Sequence, residues 1–144
     1  MKTFKELGLN EKLLGTLLSL GIKIPSEIQE KAIPLVLAGH DVIGGSATGS
    51  GKTLAFASGI IEKVQKNKGV QALILTPTRE LAEQVANSIL KLSEHKYLKV
   101  LSIYGGTNMN TQIREIPRTD IIVGTPGRIL DHLHLVSLRY LTMI

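Results

Sequence analysis

Leu13, Leu14, Leu17 and Leu18 recur at three- and four-residue spacing, the period of a helix that buries one face. Asn10 before them is a helix-start residue and Gly21 after them a stop, so a short helix is predicted over residues 10–20. A second helix follows Pro25-Ser26, with Ile28, Ala32, Ile33 and Val36 on one side, and stops at Gly39. The pattern then changes. Asp41-Val42-Ile43-Gly44 reads as a short apolar strand, followed by a glycine-rich loop and a helix from about 52 to 66. Residues 70–76 form a second apolar run, and Leu81, Val85, Ile89 and Leu92 mark a helix over about 78–94. Strands over 98–104 and 120–124, a short helix near 110–115 and a helix from 126 to about 133 complete the alternation, with a fifth apolar run at 138–144. Strands that are continuous apolar runs, alternating with helices, predict an α/β fold built on a parallel sheet covered on both faces, with right-handed crossovers.

Composition narrows the class. The chain has 144 residues, enough for one domain. Hydrophobic residues are 43% and charged residues 20%, which supports a core and argues against wholesale disorder. The absence of cysteine excludes disulfides and thiolate chemistry. No apolar run approaches the ~18 residues that span a bilayer, and the start Met1-Lys2-Thr3-Phe4-Lys5-Glu6 is not a signal peptide. A soluble, cytoplasmic protein without membrane partners is expected. The net charge of +5 favours polyanions, nucleic acid first. Two Phe, three Tyr and no Trp leave few rings on which bases stack, so any nucleic acid is expected to be held by its backbone. The lysine-rich stretch 63–68 reads as a solvated helix end. His40, His95, His132 and His134 show no metal-ligand grouping and read as surface or internally satisfied side chains.

The sharpest chemical signal is Ser46-Ala47-Thr48-Gly49-Ser50-Gly51-Lys52-Thr53. Ionised phosphates need many donors at close range. Gly49 and Gly51 allow the backbone N–H groups to turn inward without Cβ clashes, and the next helix offers its positive end. Lys52 is expected to reach the β- and γ-phosphates and Thr53 to place its hydroxyl on Mg²⁺. Ser46 stands where the strict pattern has Gly. A plain glycine turn is the bland alternative, but strand, Gly-x-Gly-Lys-Thr and helix come in the required order, and ATP or ADP with Mg²⁺ is the expected cofactor.

Further segments then fall into line. Phe4, Gly21, Pro25-Ser26 and Gln29 resemble the Q motif of DEAD-box RNA helicases, and Ser46–Thr53 their motif I, with Ser where Ala is usual. Pro77-Thr78-Arg79-Glu80-Leu81-Ala82 resembles motif Ia, Gly105-Gly106 the glycine doublet and Thr125-Pro126-Gly127-Arg128 motif Ib. The resemblance covers nearly the whole chain. It implies a RecA-like P-loop domain: three layers, α/β/α, with a mainly parallel sheet incomplete at its C-terminal end. Residues 1–40 would be the Q-motif region and 41–144 the P-loop core. On their own residue types Gln29 is a surface helix position and Phe4 an apolar staple. The resemblance makes Gln29, beside Pro25, a reader of adenine through its paired donor and acceptor, with Phe4 on the ring face. It also turns Pro77, Thr78, Arg79, Gly105, Gly106, Thr125, Pro126, Gly127 and Arg128 into contacts to RNA phosphates and 2′-hydroxyls. Without it these positions read equally as helix caps and a turn glycine, although helix starts after parallel strands do expose N–H donors to anions at one edge, contacts that ignore base identity.

The family's Asp-Glu-Ala-Asp motif, expected where the 138–144 strand ends, is not among these residues, nor are its later Ser-Ala-Thr motif, which is distinct from the Ser46-Ala47-Thr48 of the glycine-rich loop, and its second RecA-like domain. Phosphoryl transfer needs a carboxylate for Mg²⁺ and a group to orient the attacking water. The resemblance therefore implies the front part of an ATP-dependent RNA helicase, binding nucleotide and RNA but inactive alone. The open sheet edge left beside the P-loop strand invites pairing in a dimer. A non-catalytic nucleotide-dependent RNA-binding or regulatory module is the alternative. A P-loop small-molecule kinase is a third reading, and it leaves Phe4, Gln29 and Thr125–Arg128 unexplained.

Overall fold

A computed structural model describes residues 1–135. The predicted strand at 138–144 lies outside them. The chain forms two compact units, one of Met1–Lys63 with Lys91–His95, the other of Val64–Leu90 with Lys96 onward.

The first unit is helical. Helix α1 (Glu11–Ser19) starts at Asn10, whose side chain accepts from the Leu13 amide at 2.8 Å. The same side chain donates to Glu62, on helix α3 (Lys52–Lys63). Helix α2 (Glu27–Leu37) starts at Ser26. Apolar burial centres on Phe4, Leu13, Leu17, Ile33, Ala57 and Ile61. Of the four-leucine stripe on α1, Leu13 and Leu17 are buried, whereas Leu18 is 66% exposed. A 3.6-residue period leaves the flanks of a stripe unassigned, and a narrow helix buries only its middle. Ile28 and Val36 of α2 are half-buried because, with Ala32, Val42, Ala55 and Phe56, they line an apolar cavity of about 310 Å³. Helices α2 and α3 approach closely at Gly59, where a Cβ would stand 2.3 Å from Val36 Cγ1.

The expected strand at 41–44 is not formed. Those residues carry no regular structure and Ile43 is fully exposed. A strand is defined by its neighbour's hydrogen bonds rather than by its own apolar run, and no neighbour among the described residues pairs with it.

The second unit carries the sheet. Strands β1 (Ala72–Leu75), β2 (Val100–Ile103) and β3 (Ile121–Gly124) run parallel in the order β1-β3-β2. The central β3 is buried throughout, as its unbroken Ile-Ile-Val run requires. Helices α4 (Arg79–Leu92), α5 (Met109–Glu115) and α6 (Pro126–His134) follow the three strands in turn. Ile103, Ile116, Ile122 and Ile129 form a core cluster. On α4, Val85, Ile89 and Leu92 of the expected stripe are buried, together with Ala82 and Ala86, while Leu81 is 37% exposed: the stripe holds except at its first residue, where Ala82 takes the buried place. Asp120 is buried; its carboxylate accepts from the backbone amides of Asn67 and Lys99, each at 2.9 Å. It therefore fastens two loops that enter the sheet.

Candidate functional site

In the first unit the glycine-rich loop runs straight into α3. Gly49 and Gly51 have φ of +79° and +89°, the left-handed region that side chains with a Cβ avoid. Lys52 folds back into the loop and its ammonium donates to the carbonyl oxygens of Ser46 at 2.6 Å and Ala47 at 2.8 Å. The Ser46 and Ser50 hydroxyls meet at 2.5 Å. The charge is thus held within the loop by two neutral carbonyls, weaker acceptors than an ionised oxygen. Thr53 is the second residue of α3. A cavity of about 430 Å³ adjoins the loop, lined by Ser26, Ile28, Lys31, Gly45, Ser46 and Ala47 among others, within the size range of small-molecule sites.

Gln29 is buried at 6% exposure. Its Oε1 accepts from the Ser26 amide at 2.9 Å and its Nε2 donates to the Gly51 carbonyl at 3.1 Å. The Ser26 hydroxyl donates to the Ser50 carbonyl at 2.6 Å. Residues 26 and 29 are therefore joined to the phosphate loop by two direct bonds, a link that residue types alone did not reveal. A carboxamide has two N–H donors and two lone pairs, so one of each remains on Gln29. Phe4 and Pro25 are buried; the Phe4 ring belongs to the core of this unit.

In the second unit the three strands end level, with Leu75 and Ile103 both in register with Gly124. Pro77-Thr78-Arg79, Gly105-Gly106 and Thr125-Pro126-Gly127-Arg128 follow those ends, so all three segments leave the same sheet edge, where ligands of open parallel sheets bind. Added Cβ atoms at Gly105, Gly106 and Gly127 would meet nothing within 4 Å: the surface there is open to a close-lying backbone. Thr125 occupies the N-cap of α6 with Pro126 in its first turn, but its side chain makes no capping bond. The Thr78 hydroxyl accepts from the Leu81 amide at 3.2 Å.

The two arginines are placed differently. Arg79 is exposed and lies over the Tyr104 ring, 5.3 Å from its centroid. The Tyr104 hydroxyl donates to Glu83, which raises the phenol's pKa above its ordinary value. Arg128 is mostly enclosed; its Nη1 donates to the Thr107 carbonyl at 3.1 Å and to Gln112 Oε1 at 3.3 Å, and its Nε lies 3.7 Å from Asp131. Sequence reasoning passed over Gln112 and left His132 as either a surface or an internally satisfied side chain; both are buried and both are bonded in this cluster. Neither belongs to a quoted motif, and a polar residue on a short helix looks solvated until its partners are seen. Among the described residues no three His, Asp or Glu side chains converge as a metal site, and no helix is long and apolar enough to cross a membrane.

Comparison with known proteins bears on the family and the fold. The family model described as DEAD/DEAH box helicase matches residues 26–144. The chain is 48% identical over 141 residues to the ATP-dependent RNA helicase CshA of Listeria monocytogenes, covering 96% of this chain and 27% of that protein. It is 47% identical to the RNA helicase CrhR of Synechocystis over 90% of this chain and 26% of that protein. Among solved structures it resembles the DEAD box protein of Methanococcus jannaschii, with a TM-score of 0.91, 46% identity and coverage of 94% of this chain and 38% of that one. Saccharomyces cerevisiae Dbp5 bound to RNA and ADP BeF3 gives a TM-score of 0.84 at 33% identity, covering 95% of this chain and 35% of that one. The sequence thus spans about a quarter of the length of these curated relatives, and its α/β fold is the RecA-like fold of the solved ones. The chain belongs to the DEAD/DEAH box helicase family.

Proposed function

We propose that residues 1–144 are the nucleotide- and RNA-binding front part of an ATP-dependent RNA helicase acting in the cytoplasm, with 1–40 as the adenine-sensing region and 41–144 as the P-loop core of one RecA-like domain. The observation that carries this reading is the Lys52 ammonium held inside the Ser46–Thr53 loop at the start of α3. On binding ATP, the amides of 49–53 and Lys52 take the phosphates while Thr53 supplies one oxygen to Mg²⁺. The ion would add charge neutralisation at the phosphates. Gln29 keeps one N–H and one lone pair for the adenine edge while it braces Gly51, with Phe4 and Pro25 packed in the same unit. Phosphates and 2′-hydroxyls of RNA run along Pro77–Arg79, Gly105-Gly106 and Thr125–Arg128. The names of CshA and CrhR and the RNA-bound state of Dbp5 support this choice over a nucleotide-dependent regulatory module.

These 144 residues contain no Asp-Glu-Ala-Asp tetrapeptide. Alone they bind ATP without appreciable turnover, and unwinding belongs to the whole helicase with its second RecA-like domain. Segment 41–44, which pairs with no strand among the described residues, is where a further strand, or a second copy of the chain, adds hydrogen bonds. Titration of the purified chain with ADP, ATP and GTP, with and without Mg²⁺, tests the reading. An adenine preference that Lys52→Ala removes is expected; equal affinity for GTP, or binding indifferent to Lys52, overturns it.

A further inference from the structure

Gln112 is the middle residue of the short helix α5, and its side chain holds four partners. Its Nε2 donates to the Thr107 hydroxyl at 2.6 Å and to the Tyr104 carbonyl at 3.2 Å. A carbonyl only accepts, so this end of the carboxamide is the NH₂ and the other is the oxygen. That oxygen faces Arg128 Nη1 at 3.3 Å and His132 Nε2 at 2.8 Å. His132 therefore carries its proton on Nε2 and donates. Its ring is fully buried, and desolvation, followed by the nearby Arg128 charge, depresses its pKa. Arg128 in turn donates to the Thr107 carbonyl at 3.1 Å. Both flanks of the Gly105-Gly106 loop are thus tied to one buried amide, and the same amide sets the guanidinium of Arg128. The loop needs such bracing: Gly106 has φ of +82°, and a Cβ added at either glycine would meet nothing within 4 Å, so no neighbour packs over them.

We infer that Gln112, oriented by His132, is the positioning residue of the RNA-backbone site, setting the Gly105-Gly106 loop and Arg128 relative to each other before RNA arrives. The inference rests on the RNA-binding reading above. Neither Gln112 nor His132 touches RNA in it. Pre-organisation of this kind raises affinity by removing the ordering cost of a loop and a long side chain at binding.

The test uses the whole chain and a fluorescently labelled short oligouridylate, with affinity read by anisotropy across a salt series. Thermal melting and ADP affinity are recorded for every variant. Gln112→Ala should weaken oligouridylate binding about tenfold, the effect of losing a few hydrogen bonds, and leave ADP affinity unchanged. Losing the set position of Arg128 should also flatten the salt dependence by about 0.7 in the log–log slope, one phosphate on a single strand. Arg128→Ala should give the same slope, and the double variant should be no worse than the worse single one. Gln112→Glu keeps an acceptor for Arg128 and His132 but loses the donor to Tyr104 and Thr107. It serves where Gln112→Ala does not fold, and it should weaken binding with the slope retained. A Gln112→Ala protein that binds as the wild type does while Arg128→Ala binds weakly overturns the positioning role and leaves the RNA reading intact. So does an unchanged salt slope for Gln112→Ala, or full additivity of Gln112→Ala with Arg128→Ala. A wild-type chain with no affinity for oligouridylate sinks both.

Discussion

The Nζ atom of Lys52 lies 2.6 Å from the carbonyl oxygen of Ser46, six residues earlier in the same loop. In the proposed function this contact of a charged donor with a neutral acceptor is a placeholder: phosphate oxygens would offer full charge at the same spot, and the loop would gain by the exchange. Lys52→Ala removes the ammonium without touching the fold, since its partners are loop carbonyls that turn to water. ADP affinity should fall roughly 10- to 100-fold, the range for losing a hydrogen bond to a charged group. Calorimetric titration at one ionic strength checks it, and an affinity within twofold of the wild type contradicts it.

Gly51 joins that loop to Gln29. A Cβ there would lie 2.2 Å from Gln29 Nε2, at a φ of +89°. The Gln29 side chain can move aside only by giving up its bonds to the Gly51 carbonyl and the Ser26 amide. Gly51→Ala is therefore expected to cost about 1–3 kcal/mol through overlap and backbone strain, and to weaken ADP binding. Urea denaturation and ADP titration of the same preparation measure the two effects.

Gly59 separates packing from chemistry. Gly→Ala inside an exposed helix normally stabilises by up to about 1 kcal/mol. Here the new methyl would stand 2.3 Å from Val36 Cγ1 and 3.3 Å from the Val36 carbonyl oxygen, and a β-branched side chain in a helix has little rotamer freedom to yield. Overlap wins, so Gly59→Ala should destabilise by about 1–3 kcal/mol. Adding Val36→Ala should recover part of the loss. Denaturation midpoints of the two single variants and the double variant decide it.

His132 should give the fold an acid-side weakness. Burial, then the Arg128 charge, holds its pKa below the ordinary 6.5, with Asp131 pulling the other way. The unfolded chain then binds the proton more readily than the folded one. Stability is complete above the ordinary value and declines as pH falls through it towards the folded pKa. Urea midpoints at about pH 7.5 and about pH 5.5 should differ more for the wild type than for His132→Phe, which cannot titrate. Equal pH slopes for the two proteins count against a buried, neutral imidazole.

The helices were legible because their signals are local. Asn10 before α1 and Thr125-Pro126 before α6 are start signals contained in a few residues, and the unbroken apolar runs of β1 and β3 point to a parallel sheet. The glycine-rich loop was legible as a short Gly-x-Gly-Lys-Thr stretch before a helix, whereas the three edge segments stood out only through the family resemblance, since by residue type alone they read equally as helix caps and a turn glycine. What stayed hidden depends on partners distant in sequence. Residues 41–44 have the composition of a strand, but pairing decides that state. Gln29 looked like a helix-surface residue because its bonds to Gly51 and Ser26 show only once the loop folds against α2. Gln112 was invisible, and His132 undecided between surface and interior, because a buried polar hub has no pattern of its own, only a set of satisfied partners.

The central claim is that the amides of residues 49–53 and the ammonium of Lys52 form a diphosphate site. The most direct measurement is an amide-resolved NMR titration of the labelled chain with ADP. Saturable shifts at Gly49, Gly51, Lys52 and Thr53, absent in Lys52→Ala, are the predicted result. Shifts confined to other residues, with those four amides unmoved at saturating ADP, would contradict it.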